Sequence, residues 1–272
     1  MNNKERYLLV FDLDGTLLDD EKNIMPKTKA YLQKLASMGH IIALASGRPP
    51  RAMLPYYREL NLSTPLISYN GALISDPVDK SVAELKYFFS KEDVLDFIHH
   101  FEEGDIIDAF AENDDTIYLL RENKMFTEMF HREGMNVIYG DFRKTLKCRV
   151  YAAVFQYKDR QTRDRSYTIP LHGEEYFIRG WYGIDTISEF GNHSISKASG
   201  IQHIQSIYQI DDEHTIAFGD AENDVEMLNK VKYPFAMKNG NKNLIELVKS
   251  VSLEDNNHEG IYLTLKNFFA TK

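Results

Sequence analysis

The sequence predicts an α/β protein: a doubly wound, Rossmann-like parallel-sheet core carrying an inserted α+β cap domain. Two observations carry this expectation. At both ends of the 272-residue chain, short apolar runs alternate with helix-period segments, the signature of a parallel sheet covered by helices. Between them the texture changes to hairpin-like alternation punctuated by Gly134, Gly140 and Gly173. The economical organisation is one core built from residues 1–77 and 191–272, interrupted by an insertion over 78–190.

The elements follow in order. Tyr7–Phe11 is continuous and β-rich and reads as a buried strand. In "PKTKAYLQKLASMG" Pro26 opens a helix, Tyr31, Leu32, Leu35 and Met38 share one apolar face, and Gly39 ends it. Ile41–Ala45 is a second buried strand, stopping at Ser46-Gly47. "PPRAMLPYYREL" predicts a short helix weakened by Pro55, and "PLISYNGALIS" a strand turning at Asn70-Gly71 into another. In the insertion, "ELKYFF", "IIDAF", "TIYLL", "RVYAAVFQY" and "DTISEF" read as strands. "KEDVLDFIHHFEE" reads as a helix with Val94, Leu95, Phe97, Ile98 and Phe101 inward, and His99 and His100 as ordinary helix residues. The Arg-rich "YKDRQTRDRSY" reads as a solvated loop. The first rhythm then returns. "SISKASGIQHIQSIY" is a helix capped by Ser194 or Ser196, with Ile201, Ile204 and Ile207 on one face. "HTIAFGD" is a strand, "ENDVEMLNKV" a helix, "YPFAM" a strand and "NKNLIELVKS" a helix, before the closing "GIYLTLKNFF".

With 43% hydrophobic residues the chain can bury a sizeable core. A net charge of −9 argues against a nucleic-acid backbone or an anionic membrane as main partner. It leaves a small anionic substrate open, since a local pocket can be positive. Cys148 is the single cysteine, so no intrachain disulfide forms, and it reads as a reduced thiol on an ordinary strand. No run approaches the ~20 apolar residues of a membrane span, and the N-terminal apolar run is too short for a signal peptide. The expected location is cytoplasmic. Oligomeric state is not legible.

The chemistry concentrates at one sheet edge. Ligands of open α/β sheets bind beyond the carboxyl ends of the strands, and three buried strands end there at Asp12, Ser46 and Asp220. Asp14 follows Asp12 by two residues, and Asp224 follows Asp220 by one helical turn. Converging carboxylates repel and are strongly destabilising when unpaired. A hard divalent cation relieves this, and an oxygen-rich set poor in His and Cys favours Mg²⁺ over Zn²⁺.

"DLDGT", "SGR", a lysine opening a later helix and "GDAEND" resemble the four motifs of the haloacid dehalogenase-like superfamily. The large insertion, together with "NGALI" at Asn70, is similar to its Cof-type branch of Mg²⁺-dependent phosphatases. The resemblance implies Asp12 as a nucleophile forming an aspartyl-phosphate, and Asp14 as general acid and then base. A carboxyl at that +2 position suits phosphoryl transfer and not dehalogenation. Thr16 would position Asp14 or the phosphate. Ser46, the Gly47 amide, Lys197 and Asn223 would hold the phosphate. Asp12, the Asp14 carbonyl, Asp220 and Asp224 would bind Mg²⁺. Glu259 stands where an Asp-Gly pair is common in that family and receives no role.

Possible substrate contacts are Asn70, Arg48, and Arg179 and Trp181 of "RGWYGID", with Tyr182 beside them. Arg48 reads more readily as a cation pairing with core acids, Asn70 equally as a plain turn residue, and the aromatics as packing for the insertion's sheet. The expected activity is a Mg²⁺-dependent phosphatase on a small phosphorylated metabolite such as a sugar phosphate, with the insertion closing over the leaving group. A phosphomannomutase-like sugar phosphomutase and a non-catalytic metabolite-sensing protein are the alternatives.

Overall fold

The computed structural model describes residues 5–126, 131–170, 176–181, 183–248 and 250–271; Gly173 and Tyr182 lie outside them. The chain divides into two compact units, Met1–Leu85 with Ser196–Lys272, and Lys86–Ile195. Both boundaries fall later in the chain than residues 78 and 190.

In the first unit, four parallel strands lie in the order Tyr233–Ala236, Thr215–Gly219, Leu8–Phe11, Ile41–Leu44. The Leu8–Phe11 strand is central, and its register pairs Phe11 with both Phe218 and Leu44. A parallel bridge from Ala45 to Ile67 extends the edge to the antiparallel pair Leu66–Ser68 and Leu73–Ser75. Side chains alternate across a strand, so this fully buried strand serves two cores. Leu9 and Phe11 pack with Leu32, Leu35, Met53, Ile261 and Leu265 of the helices Pro26–Ser37, Pro50–Glu59 and Gly260–Ala270. Leu8 and Val10 pack with Ile201, Ile204, Met227 and Leu244 of the helices Lys197–Tyr208, Val225–Lys230 and Lys242–Val248. Both faces are covered, as the near-continuous apolar runs require. Stacked rings tie three strands together: Phe11 lies 5.4 Å from Phe218, and Phe218 lies 5.0 Å from Phe235.

Two core residues depart from the expected faces. Met38 is exposed because it stands at the helix C-cap, beyond the last inward turn. Ile207 is also exposed, one residue from the end of helix Lys197–Tyr208, while Ile201 and Ile204 earlier in that helix turn inward. The helix Pro26–Ser37 has no side-chain cap of its own. Glu259 supplies it from far along the chain, accepting from the Lys27 amide at 2.8 Å, the Thr28 amide at 2.7 Å and the Thr28 hydroxyl at 2.8 Å. An acid at a helix N-terminus is favoured by the dipole and satisfies otherwise orphaned N–H groups.

The second unit is a six-stranded sheet in the order Tyr176–Trp181, Ile184–Asn192, Ala152–Tyr157, Ile106–Glu112, Thr116–Leu119, Asn136–Tyr139. Its last pair is parallel, and its other pairs are antiparallel. Helix Lys91–His99, capped by Ser90 accepting from the Asp93 amide, buries Val94, Phe97 and Ile98 against one face. There Phe97 meets Phe155 at 4.9 Å and Phe190 at 5.8 Å.

Two local expectations are corrected here, and two strands are added that the sequence did not announce. Arg160–Ser166 is a helix, not a solvated loop: Asp159 caps it by accepting from the Thr162 amide, and Arg163 is buried. The strands Asn136–Tyr139 and Tyr176–Trp181 join the sheet although neither reads clearly as a strand in isolation. Cys148 lies in the connection between helix Phe142–Thr145 and strand Ala152–Tyr157, with its sulfur 2.9 Å from Asn113 Nδ2 and 3.2 Å from the Tyr118 hydroxyl. Among the described residues, no helix is long and apolar enough to cross a membrane.

Candidate active site

The carboxyl ends of the central strands carry the acids. Asp12 follows Leu8–Phe11 directly, its amide bonded to the Phe218 carbonyl at 3.1 Å and its side chain nearly buried. Asp220 follows Thr215–Gly219. Asp224 sits in the turn that precedes the helix Val225–Lys230 and is fully buried. One of its oxygens accepts from the Asp220 amide at 2.9 Å and the Ala221 amide at 3.1 Å, so the acid also shapes the loop that presents Asp220. Carboxylate oxygens of Asp12, Asp220 and Asp224 all lie within 4.8 Å of one another.

Lys197 is the cation set among them. It opens the helix Lys197–Tyr208 behind a Ser196–Ser199 capping box, and it is fully buried. Its Nζ donates to Asp12 at 2.6 Å and to Asp224 at 2.7 Å. One ammonium against three carboxylates leaves an excess of negative charge. The Asp12 carboxyl is pushed up to about 7, by burial first and then by Asp224 and Asp14, with Lys197 opposing. Burial, Asp12 and Asp224 push Asp220 well above the usual carboxylate range. Burial opposes charge on Lys197, but Asp12 and Asp224 outweigh it and hold the ammonium above its ordinary value. A clustered all-oxygen donor set under this strain fits a hard divalent cation.

Asp14 stands apart from that group. Arg48 grips it as a fork, Nε to Oδ2 at 2.7 Å and Nη2 to Oδ1 at 2.6 Å, and Lys22 adds a third contact to Oδ1 at 2.7 Å. Burial would raise this carboxyl, but Arg48 and Lys22 together hold it below its ordinary value. Arg48 therefore pairs with an acid of the site, and its ring-facing side lies 5.8 Å from the Tyr56 centroid. Lys22, eight positions after Asp14, is a contact that sequence reasoning missed, because a chain reversal and not local spacing brings it there.

The turn after Asp14 depends on glycine. Gly15 has φ +74°, and a Cβ there would fall 2.5 Å from an Asp220 oxygen. Asn239 holds its carbonyl at 2.8 Å. Thr16 donates to Asp220 at 3.1 Å. Ser46 is buried, its amide bonded to the Ile67 carbonyl at 2.8 Å and its hydroxyl accepting from the Arg48 amide at 3.2 Å. Asn223 donates through Nδ2 to Asn70 Oδ1 at 3.0 Å, and the Asn70 carboxamide lies against Gly47. The first unit thus brings together Asp12, Asp14, Thr16, Ser46, Gly47, Arg48, Asn70, Lys197, Asp220, Asn223 and Asp224. Arg179 and Trp181 belong to the second unit, where both approach Glu189: Arg179 at 4.0 Å and the indole N–H at 3.3 Å.

A family model for haloacid dehalogenase-like hydrolases matches residues 9–265. The chain belongs to that family. This hydrolase is 31% identical over 268 residues to the 5-amino-6-(5-phospho-D-ribitylamino)uracil phosphatase YitU of Bacillus subtilis, covering 97% of this chain and 98% of that one. It is 25% identical to YbjI of Escherichia coli, which bears the same enzyme name, over 93% of each chain. In fold it is similar to the subclass IIB sugar phosphatase BT4131, with a TM-score of 0.80, 22% identity, and 97% and 99% coverage. It is similar also to TM0651 of Thermotoga maritima, with a TM-score of 0.75, 22% identity, and 96% and 97% coverage.

Proposed function

We propose that this hydrolase is a Mg²⁺-dependent phosphatase that cleaves a small phosphorylated metabolite, a sugar phosphate or similar phosphomonoester, through an aspartyl-phosphate. The observation that carries the reading is the cluster at the sheet edge: a nearly buried Asp12 with Lys197 at 2.6 Å and Asp220 and Asp224 beside it. Phosphoryl transfer needs positioning and charge stabilisation more than covalent machinery, and this cluster supplies both. YitU and YbjI, whose names specify a phosphorylated ribityl compound, support a polyol or sugar phosphate.

In this reading an Asp12 oxygen bonds to phosphorus as the bond to the leaving oxygen breaks, and Asp14 gives that oxygen its proton. Asp14 then takes a proton from water, whose oxygen attacks phosphorus. The Asp12–phosphorus bond breaks and the carboxylate is restored. Lys197 keeps Asp12 ionised and oriented, while Ser46, the Gly47 amide, Thr16 and Asn223 are assigned to the phosphoryl oxygens. Asp12, Asp220 and Asp224, with the Asp14 carbonyl, are assigned to hold Mg²⁺, which when bound offsets charge on the transferring group. Both Asp14 oxygens receive cationic donors in this structure, so proton donation requires those contacts to open. Arg179 and Trp181 are assigned to leaving-group recognition within the insertion.

The test is phosphate release by purified protein from sugar, polyol, nucleotide and cofactor phosphates, with Mg²⁺ and with chelator. Mg²⁺-dependent release, greatest for sugar or polyol esters, is expected. Absence of release from every ester would overturn the reading, and isomerisation of a hexose phosphate requiring a bisphosphate activator would mark a phosphomutase instead.

A further inference from the structure

Tyr69, Asn70 and Gly71 have φ of 49°, 54° and 103°, three consecutive residues in the left-handed region. Glycine enters that region freely, asparagine tolerates it, and a bulky residue such as tyrosine rarely adopts it. Such a run persists only where its surroundings over-determine it. Here three loops do so. The Tyr69 amide donates to the Arg48 carbonyl at 3.1 Å and the Asn70 amide to the Ser46 carbonyl at 2.9 Å. Gly71 packs so tightly on the residue before Lys197 that a Cβ would fall 2.2 Å from the Ser196 carbonyl oxygen. The Asn70 side chain completes the set. Its Oδ1 receives Asn223 Nδ2 at 3.0 Å, and its carboxamide lies where a Cβ on Gly47 would come within 3.2 Å of it. The turn therefore touches the loop after the second strand, the residue that leads into Lys197, and the loop after the Thr215–Gly219 strand.

A residue needed only to make this turn could be glycine. Asparagine adds a carboxamide, and its oxygen is spent on a side chain 153 residues away. We propose that Asn70 is a positioning residue: it fixes the orientation of the Asn223 carboxamide and the placement of the Ser46–Gly47 loop around the phosphoryl group. The proposal rests on the phosphatase reading and adds to it a residue that acts through others.

The discriminating variant is Asn70→Gly, which keeps the left-handed backbone at no steric cost and deletes the whole carboxamide, the acceptor for Asn223 included. Three quantities are read: melting temperature, kcat and KM for p-nitrophenyl phosphate with Mg²⁺, and affinity for orthovanadate. The expected result is a melting temperature close to wild type, kcat lowered about tenfold or more, and weaker orthovanadate binding. Asn223→Ala, which leaves the Asn70 turn in place, should give a similar loss, and the double variant should be no worse than the poorer single one, as for two residues acting as a unit. Wild-type kcat in Asn70→Gly, losses that multiply in the double variant, or activity and stability falling in parallel would each overturn the positioning role. If the wild type hydrolyses no ester yet binds orthovanadate, and Asn70→Gly weakens that binding, the phosphatase reading fails while the role of Asn70 stands.

Discussion

Replacing Lys197 by methionine keeps most of the side-chain volume and removes its charge. The lysine is fully buried, and its two partners are the buried carboxylates of Asp12 at 2.6 Å and Asp224 at 2.7 Å. Breaking a buried pair by deleting one partner costs about 3–5 kcal/mol, because the other charge stays unpaired. For a unit of this size each kcal/mol shifts the melting temperature by about 2–4 °C, so a fall of roughly 6–20 °C is expected. The loss should depend on pH. The Asp12 carboxyl is already pushed up to about 7 by burial and by its acidic neighbours, with Lys197 opposing. A carboxyl raised in the folded state favours folding fully below its unfolded value near 4, and that contribution disappears as pH rises through the folded value. Removing the lysine raises it further, so the deficit should be small near pH ~5 and large near pH ~8. Mg²⁺ should restore part of it by binding the same acids. Differential scanning fluorimetry at both pH values, with chelator and with Mg²⁺, measures this. A melting temperature within about 2 °C of wild type at both pH values would refute the reasoning, since no buried-charge cost of the stated size would then exist.

Arg48→Lys retains charge but loses the fork on Asp14, and the two cations are not equivalent at a bidentate site. Because Arg48 and Lys22 hold the Asp14 carboxyl low against burial, and Asp14 must carry a proton to act as general acid, the weakened grip should move the alkaline limb of the kcat/KM profile to higher pH; an unmoved limb would contradict that pairing. Glu259→Ala removes the acceptor for the Lys27 and Thr28 amides. It should cost about 1 kcal/mol, as other lost helix caps do, with kcat unchanged; a chemical-denaturation midpoint equal to wild type would show that the cap contributes nothing.

Much of the fold was legible because the core strands are buried on both faces and read as unbroken apolar runs closed by Asp12, Ser46 and Asp220. Where a strand of an open α/β sheet ends, ligand-facing chemistry begins, so these positions are legible in the sequence. The insertion was less legible. Asn136–Tyr139 is largely exposed at a sheet edge and carries little period-two pattern, and Arg160–Ser166 hides its helix behind alternating charges until Asp159 is seen capping it. Arg163 reads as solvated from its neighbours, yet its guanidinium is folded inward beside Tyr167 at 5.3 Å from the ring centroid. Lys22, Asn239 and Glu259 act through contacts set by chain reversals, and nothing in local spacing announces such partners. The acids were readable as a group, but not the division of cations among them, Lys197 to Asp12 and Asp224, Arg48 and Lys22 to Asp14.

The central claim is a covalent bond between Asp12 and phosphorus. Quenching the reaction during turnover and reducing with borohydride converts an acyl phosphate to the alcohol. The account predicts homoserine at position 12 by peptide mass spectrometry, its absence without substrate, and retention of configuration at a chiral phosphorus centre, as two successive in-line displacements require. Inversion at phosphorus, with no modified residue at position 12, would mean direct attack by water and would contradict it.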